Sequence, residues 1–87
     1  MTMPRQPSSA GELWFALWLA REIKARRIGR KWSQEQLARE AGVSTANVRR
    51  LESGTSPATS FVTVGRLSRS LDISLDTLFA GFPEENR

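Results

Sequence analysis

The chain has 87 residues and a formal net charge of +4 at neutral pH, and 39% of its residues are hydrophobic. A chain of this length can build one small core and has no room for an elaborate active site. It contains no cysteine and no histidine, which argues against disulfides, thiol nucleophiles, the usual zinc sites and the commonest general base. We therefore expect a protein that is not an enzyme and that binds no metal and no cofactor.

Hydropathy gives no sign of a membrane segment. No stretch approaches the roughly 18 to 20 apolar residues that a membrane-spanning helix needs. The apolar run at residues 13–20 has no cluster of positive charge before it and no clear cleavage site after it, so it does not indicate a secretion signal. These features predict a cytoplasmic protein.

Positive charge is concentrated in one part of the chain. Residues 21–50 hold nine lysines and arginines against three glutamates, and the remainder of the chain is slightly acidic. A local surplus of this kind is typical of a protein that binds a polyanion. Charged runs also cover ordinary solvated helix surfaces, so the charge by itself leaves both interpretations open.

The first predicted helix follows a proline-containing segment. Residues 1–8 predict a flexible arm. Ser9 with Glu12 forms a capping box, which predicts a helix from residue 10 to about residue 28. Successive helical residues turn by about 100°, and this period puts the following residues on the core face: Glu12, Ala16, Leu19, Ala20, Ile23 and Arg27.

Two tryptophans are predicted on the opposite face of that helix. Trp14 and Trp18 lie there with Leu17. Exposed aromatic patches are unusual on monomers, and tryptophan is common at binding hot spots, so one interpretation is an interface with a second copy or with another protein. The other interpretation is that this segment folds over its own domain, onto the last helix.

Residues 33–54 predict two short helices joined by a tight turn. Ser33 and Ser44 each stand where an N-cap begins a helix. Between the helices, Gly42 can adopt the left-handed conformation, and the small Ala38 faces the same corner, so together they set the angle between the helices. The period of the second helix directs Val48 and Leu51 inward, and Ala46, Arg49, Arg50 and Ser53 outward.

Two more helices are predicted after residue 54. Ser60 begins a fourth helix with apolar residues at helical spacing, and Ser74 begins a short last helix that runs to about residue 80. Gly65 costs the fourth helix about 1 kcal/mol relative to alanine and leaves room for a close contact with another helix. Residues 83–87 predict a disordered tail. The expected architecture is all-α, with five helices in one domain over residues 9–82.

Three elements of residues 33–54 match a known pattern: S-Q-E-x-L-A at residues 33–38, A-G-V-S at 41–44 and V-x-x-L-E-x-G at 48–54. With them the chain resembles the Cro and phage-repressor (XRE-type) helix-turn-helix family over about residues 19–79. The resemblance implies a lambda-repressor-like DNA-binding domain whose first helix is extended at its N-terminus. It also implies an ion pair between Arg27 and Glu52, and Lys31 stands where the family commonly has a glycine.

The resemblance further implies which residues contact double-stranded DNA. Base reading falls to Thr45, Ala46, Arg49 and Arg50, since arginine can form two hydrogen bonds to guanine. Backbone phosphates fall to residues at the helix starts and around the end of the third helix, namely Gln34, Ser44, Asn47, Ser53 and Thr55. Many members dimerise through the C-terminal helix, which adds Phe79 and Phe82 to Trp14 and Trp18 as candidate interface residues.

The function expected from these features is sequence-specific DNA binding by a transcriptional regulator, most simply a repressor associated with the nucleoid. One recognition helix reads only a few base pairs, so a homodimer is expected on a near-palindromic site. The alternative is a protein-interaction module of the antitoxin or antiactivator type, which captures a partner protein through Trp14, Phe15 and Trp18. The two functions are compatible with each other.

Overall fold

The computed structural model describes residues 10–55 and 60–80. These residues form five α-helices and no strand: α1 Ala10–Gly29, α2 Gln34–Ala41, α3 Thr45–Glu52, α4 Phe61–Leu71 and α5 Leu75–Phe79. The all-α class and the order of five helices predicted from the sequence are confirmed. Several predicted features lie outside the described residues, namely the arm at residues 1–8, the cap at Ser9, Phe82 and the tail at residues 83–87.

A serine N-cap begins each of the helices α2 to α5. The four caps are Ser33, Ser44, Ser60 and Ser74, and each has extended backbone and a hydroxyl that accepts from a backbone N–H of the first turn. For example, Ser33 Oγ accepts from the N–H of Gln36 at 3.0 Å. Because the first N–H groups of a helix have no partner within the helix, these serines fix where the helices begin.

Three helices end with the same backbone arrangement. One residue takes a positive φ, and the next residue donates its N–H to the carbonyl five positions earlier, which is the Schellman motif. The positive-φ residues are Lys31 at 60°, Gly42 at 73° and Asp72 at 59°. The residues that donate back are Trp32, Val43 and Ile73. All three are apolar and pack on or within the core, so each motif both ends a helix and anchors the turn.

The core lies where α1 and α2 pack against α3 and α4, and Leu78 of α5 closes it. The predicted core face of α1 is confirmed for its four apolar members, which are all buried, whereas the side chain of Glu12 lies outside the description. The buried cluster consists of Leu19, Ile23, Leu37, Ala38, Val48, Leu51, Leu67, Leu71, Ile73 and Leu78.

Trp18 differs from its sequence prediction. It is half-buried, and its indole Nε1–H donates to the carbonyl oxygen of Leu78 at 3.0 Å. Leu78 lies near the C-terminal end of α5, where carbonyls have no partner within the helix. The prediction that Trp18 points away from the body of the protein is wrong, because α5 covers that flank of α1. Folding back onto the last helix is therefore the correct interpretation for Trp18.

The close contact expected at Gly65 is also wrong. A Cβ at Gly65 would meet nothing within 4 Å. The close approach occurs instead at Gly54, which has a φ of 74° and whose Cβ would lie 3.1 Å from Cδ1 of Leu17. The chain leaving α3 therefore passes directly against α1, at a residue that needs both a positive φ and no side chain.

Candidate nucleic-acid interface

The angle between α2 and α3 is held from two sides. On the inner side, the side chain of Ala38 is buried, and its carbonyl accepts from the N–H of Val43 at 3.0 Å. On the outer side, Nη1 of Arg66 donates to the carbonyl of Gly42 at 2.9 Å, which ties α4 to the turn. The two short helices consequently form one rigid unit with the rest of the core.

Helix α3 has two chemically different sides. Val48 and Leu51 are buried in the core. Ala46, Arg49 and Arg50 are exposed on the opposite side, where Thr45 is half-buried. The outward side carries two guanidinium groups and otherwise small side chains. Such a surface can enter a groove without steric obstruction and can donate hydrogen bonds there.

Both outward arginines have surface partners. Nη1 of Arg50 donates to Oδ1 of Asn47 at 2.9 Å. Arg49 lies 3.5 Å from the carboxylate of Glu35, and both side chains of that pair are about 60% exposed. Exposed pairs of this kind contribute at most about 1 kcal/mol, so a stronger anionic or base-edge partner can replace them.

A hydrogen-bonded network lies behind α3 and joins three helix ends. Arg27 donates from Nε to Glu52 Oε2 at 2.8 Å and from Nη2 to Glu52 Oε1 at 3.0 Å. Its Nη1 also donates to the carbonyl of Trp32 at 2.8 Å, and Nε2 of Gln34 donates to Glu52 Oε1 at 2.9 Å. The pKa of Arg27 is raised, mainly because the hydrogen bond to Glu52 favours its charged form and despite the opposing effect of burial. The ion pair that the resemblance implies is present.

The residues predicted to contact phosphates fall into two groups. Gln34, Ser44 and Asn47 lie at helix starts: Gln34 is held by Glu52, and Ser44 Oγ accepts from the N–H of Asn47 at 3.0 Å. Ser53 and Thr55 follow α3 and lie together, with their hydroxyl oxygens 2.8 Å apart. The Ser53 hydroxyl also donates to the carbonyl of Arg50 at 2.6 Å, so these polar groups are ordered before any ligand arrives.

The predicted aromatic interface is only partly exposed. Trp14 stacks on Trp18 with ring centroids 6.2 Å apart and an interplanar angle of 8°. Leu13, Trp14 and Leu17 are 46%, 52% and 50% exposed, and we call these three residues the α1 apolar patch. The side chain of Phe79 and all of Phe82 lie outside the described residues.

Sequence reasoning missed most of the polar contacts around α3. The Asn47–Arg50 hydrogen bond had a local signal, because residues three apart face each other on a helix. The Gln34–Glu52 and Glu35–Arg49 contacts join different helices and had none. Only the packing of α2 on α3 brings those side chains together.

Two further properties concern residues 10–55 and 60–80. No helix in these segments is both long and apolar enough to cross a bilayer. The same segments contain no group of three or more histidine, cysteine, aspartate or glutamate side chains that could hold a metal ion.

Comparison with known proteins gives one match. The helix-turn-helix family model matches residues 23–78, which is more than half of the chain and includes α2, the turn and α3. No curated protein matches the chain significantly.

Proposed function

Because the chain belongs to the Cro/C1-type helix-turn-helix family of DNA-binding transcription regulators, we propose that it recognises a specific DNA sequence as a homodimer. In this proposal α3 enters the major groove. The protein acts most simply as a repressor, since a bound dimer blocks the access of other proteins to its site.

The observation that carries the proposal is the outward side of α3. Its arginines and small residues are exposed while Val48 and Leu51 hold the helix to the core. The major groove is about 12 Å wide and admits an α-helix. An outward side with a large apolar stripe would instead favour burial against a protein.

Base reading is assigned to Thr45, Ala46, Arg49 and Arg50. Arg50 is the strongest candidate because its hydrogen bond to Asn47 occupies one end of the guanidinium and leaves other donors for guanine O6 and N7. The methyl groups of Thr45 and Ala46 suit contacts with thymine. These residues would supply most of the sequence preference.

Phosphate contacts are assigned to Gln34, Ser44, Asn47, Ser53 and Thr55. Helix starts favour anions because their N–H groups and dipoles point outward. The hydrogen bond between Gln34 and Glu52 would fix the start of α2 relative to the end of α3. Contacts to one strand would thus set the register of the reading helix.

Dimerisation is part of the proposal because one helix reads too few base pairs. A two-fold dimer would present two copies of α3 about 34 Å apart along the duplex. Candidate interface residues are Trp14, Trp18, Phe79 and Phe82. Of these, Trp14 has the best support, since it is half-exposed and belongs to the α1 apolar patch.

The same patch favours a second candidate function. Three large apolar side chains on neighbouring turns of one helix are an unusual surface for a monomer. The alternative is that they capture a partner protein, as an antitoxin or antiactivator does. DNA binding and partner capture use different sides of the molecule in this proposal and can be separated by mutation.

Selection of bound duplexes from a random DNA pool tests the proposal, with Arg50→Ala and Arg69→Ala compared with the wild-type protein. We expect a near-palindromic consensus for the wild type. Arg50→Ala should lose about 1 to 3 kcal/mol and relax one position in each half-site. Arg69→Ala removes the same charge from an exposed site on α4 and should keep the consensus.

Three outcomes would contradict parts of the proposal. An unchanged consensus and affinity for Arg50→Ala would refute the assigned reading side. A consensus with a single half-site would argue against the dimer. If folded wild-type protein enriches no sequence at low salt, the regulator proposal fails and the interaction module becomes the better account, to be tested with Trp14→Ala in a pull-down against candidate partners.

A further inference from the structure

The connection between α1 and α2 contains a residue that is poorly suited to its backbone conformation. Lys31 occupies the positive-φ position of a Schellman motif, with a φ of 60°. The N–H of Lys31 donates to the carbonyl of Ile28 at 2.8 Å, and the N–H of Trp32 donates to that of Arg27 at 3.2 Å. Side chains other than glycine, asparagine and aspartate are disfavoured in this conformation.

The other two Schellman motifs of the molecule show the contrast. Gly42 has no side chain to strain, and aspartate, which stands at position 72, tolerates the left-handed region because of its short polar side chain. Backbone geometry alone therefore gives no reason for a lysine at position 31. Its side chain must be explained by something other than the turn.

The side chain of Lys31 is exposed, and it has no ion-pair partner among residues 10–55 and 60–80. It lies two positions before Ser33, the N-cap of α2. The backbone around it is well anchored, since Arg27 donates to the carbonyl of Trp32 and the Arg30 guanidinium lies 5.2 Å from the centre of the Trp32 ring. An unpaired ammonium is thus held on a rigid turn beside the start of α2.

We propose that Lys31 is a further DNA contact and that its ammonium group binds a backbone phosphate next to the one served by the start of α2. The inference rests on the proposed function, because it uses the same docking of α2 on the duplex. As a phosphate contact, Lys31 adds affinity for every sequence and carries no base preference. The energetic cost of its backbone conformation is retained for this charge.

The test compares Lys31→Gly and Lys31→Arg with the wild type on a short mixed-sequence duplex, titrated over a range of salt concentrations. Glycine removes both the charge and the strain, so the urea midpoint should rise while binding weakens about two- to fivefold. The slope of log K against log[salt] should become shallower by about 0.9, the value for one phosphate contact. Arginine keeps the charge and should restore both affinity and slope.

Asp72→Gly is the matched control. It changes a residue with nearly the same φ, in the same motif, at the turn between α4 and α5. It should leave the salt slope and the affinity unchanged. A loss of affinity equal to that of Lys31→Gly would mean that changes at the helix ends affect binding by another route, and the inference would be wrong.

The remaining outcomes separate the inference from the proposed function. If the wild type binds the duplex and Lys31→Gly binds with equal affinity and slope, Lys31 is no phosphate contact and the regulator proposal stands. A lower urea midpoint for Lys31→Gly would refute the claim of strain and with it the inference. If the folded wild type binds no duplex at low salt, the proposed function itself fails.

Discussion

The carboxylate of Glu52 joins the ends of three helices. It lies at the end of α3, accepts two hydrogen bonds from Arg27 near the end of α1, and accepts one from Gln34 at the start of α2. Its side chain is only 3% exposed and that of Arg27 12%. Removing one member of such a pair leaves the other charge buried without compensation, so this residue matters more for stability than an ordinary surface carboxylate.

We therefore expect Glu52→Ala to lower the free energy of unfolding by about 3 to 5 kcal/mol, measured by urea denaturation followed by circular dichroism. Glu22→Ala is the control, because Glu22 pairs with Arg26 at 3.7 Å on the exposed side of α1 and should cost at most about 0.5 kcal/mol. Equal effects of the two substitutions would show that the network behind α3 contributes no more than a surface pair.

At the scale of single elements, α4 combines good capping with a weak interior. Ser60 caps its start, and Asp72 ends it in a Schellman motif. Gly65 lies in the middle, where glycine increases the entropy of the unfolded chain and adds no packing. Nothing lies within 4 Å of the position of its absent Cβ, so the helix gains nothing from this glycine in the described structure.

Gly65→Ala should consequently stabilise the protein by about 1 kcal/mol, seen as a higher urea midpoint. Gly54→Ala should do the opposite, because Gly54 combines a positive φ with a 3.1 Å approach to Leu17 and alanine would strain both. A destabilised Gly65→Ala protein would mean that the position needs its glycine for a contact outside the described residues.

At the scale of the whole molecule, Trp18 connects two elements that are 60 residues apart in sequence. Its indole N–H satisfies a carbonyl near the end of α5, and its ring supports the stacked Trp14. The N-terminal part of α1 is thus joined to the last helix. The α1 apolar patch is presented on a supported surface as a result, which is what an interface requires.

Trp18→Phe should lower the free energy of unfolding by about 0.5 to 1.5 kcal/mol, because it removes the donor to the Leu78 carbonyl while keeping an aromatic ring. Trp14→Phe is the matched control, since no hydrogen bond of the Trp14 indole is involved in this contact, and it should have a smaller effect. Chemical denaturation followed by circular dichroism avoids the change in fluorescence that each substitution brings. A larger loss for Trp14→Phe would indicate that the exposed ring, through self-association, contributes more to stability than the contact with α5.

Local features were predictable from the chain. Serine caps, glycine at the turn and the period of apolar residues act over three to five positions, so helix order, the buried side of α3 and its outward arginines all followed from short windows. The pairing of Arg27 with Glu52 required a family resemblance, because no short window contains both residues.

The amino-acid sequence by itself determined that this protein is all-helical, that α2 and α3 form a capped helix-turn-helix unit, and that α3 turns a basic side outward. Only the tertiary structure decided that Trp18 packs on α5, that Gln34 binds Glu52, and that the close approach lies at Gly54 and not at Gly65. The reason is physical: capping and periodicity depend on neighbouring residues, whereas these contacts depend on how separate helices pack, and packing sums many weak interactions over the whole core.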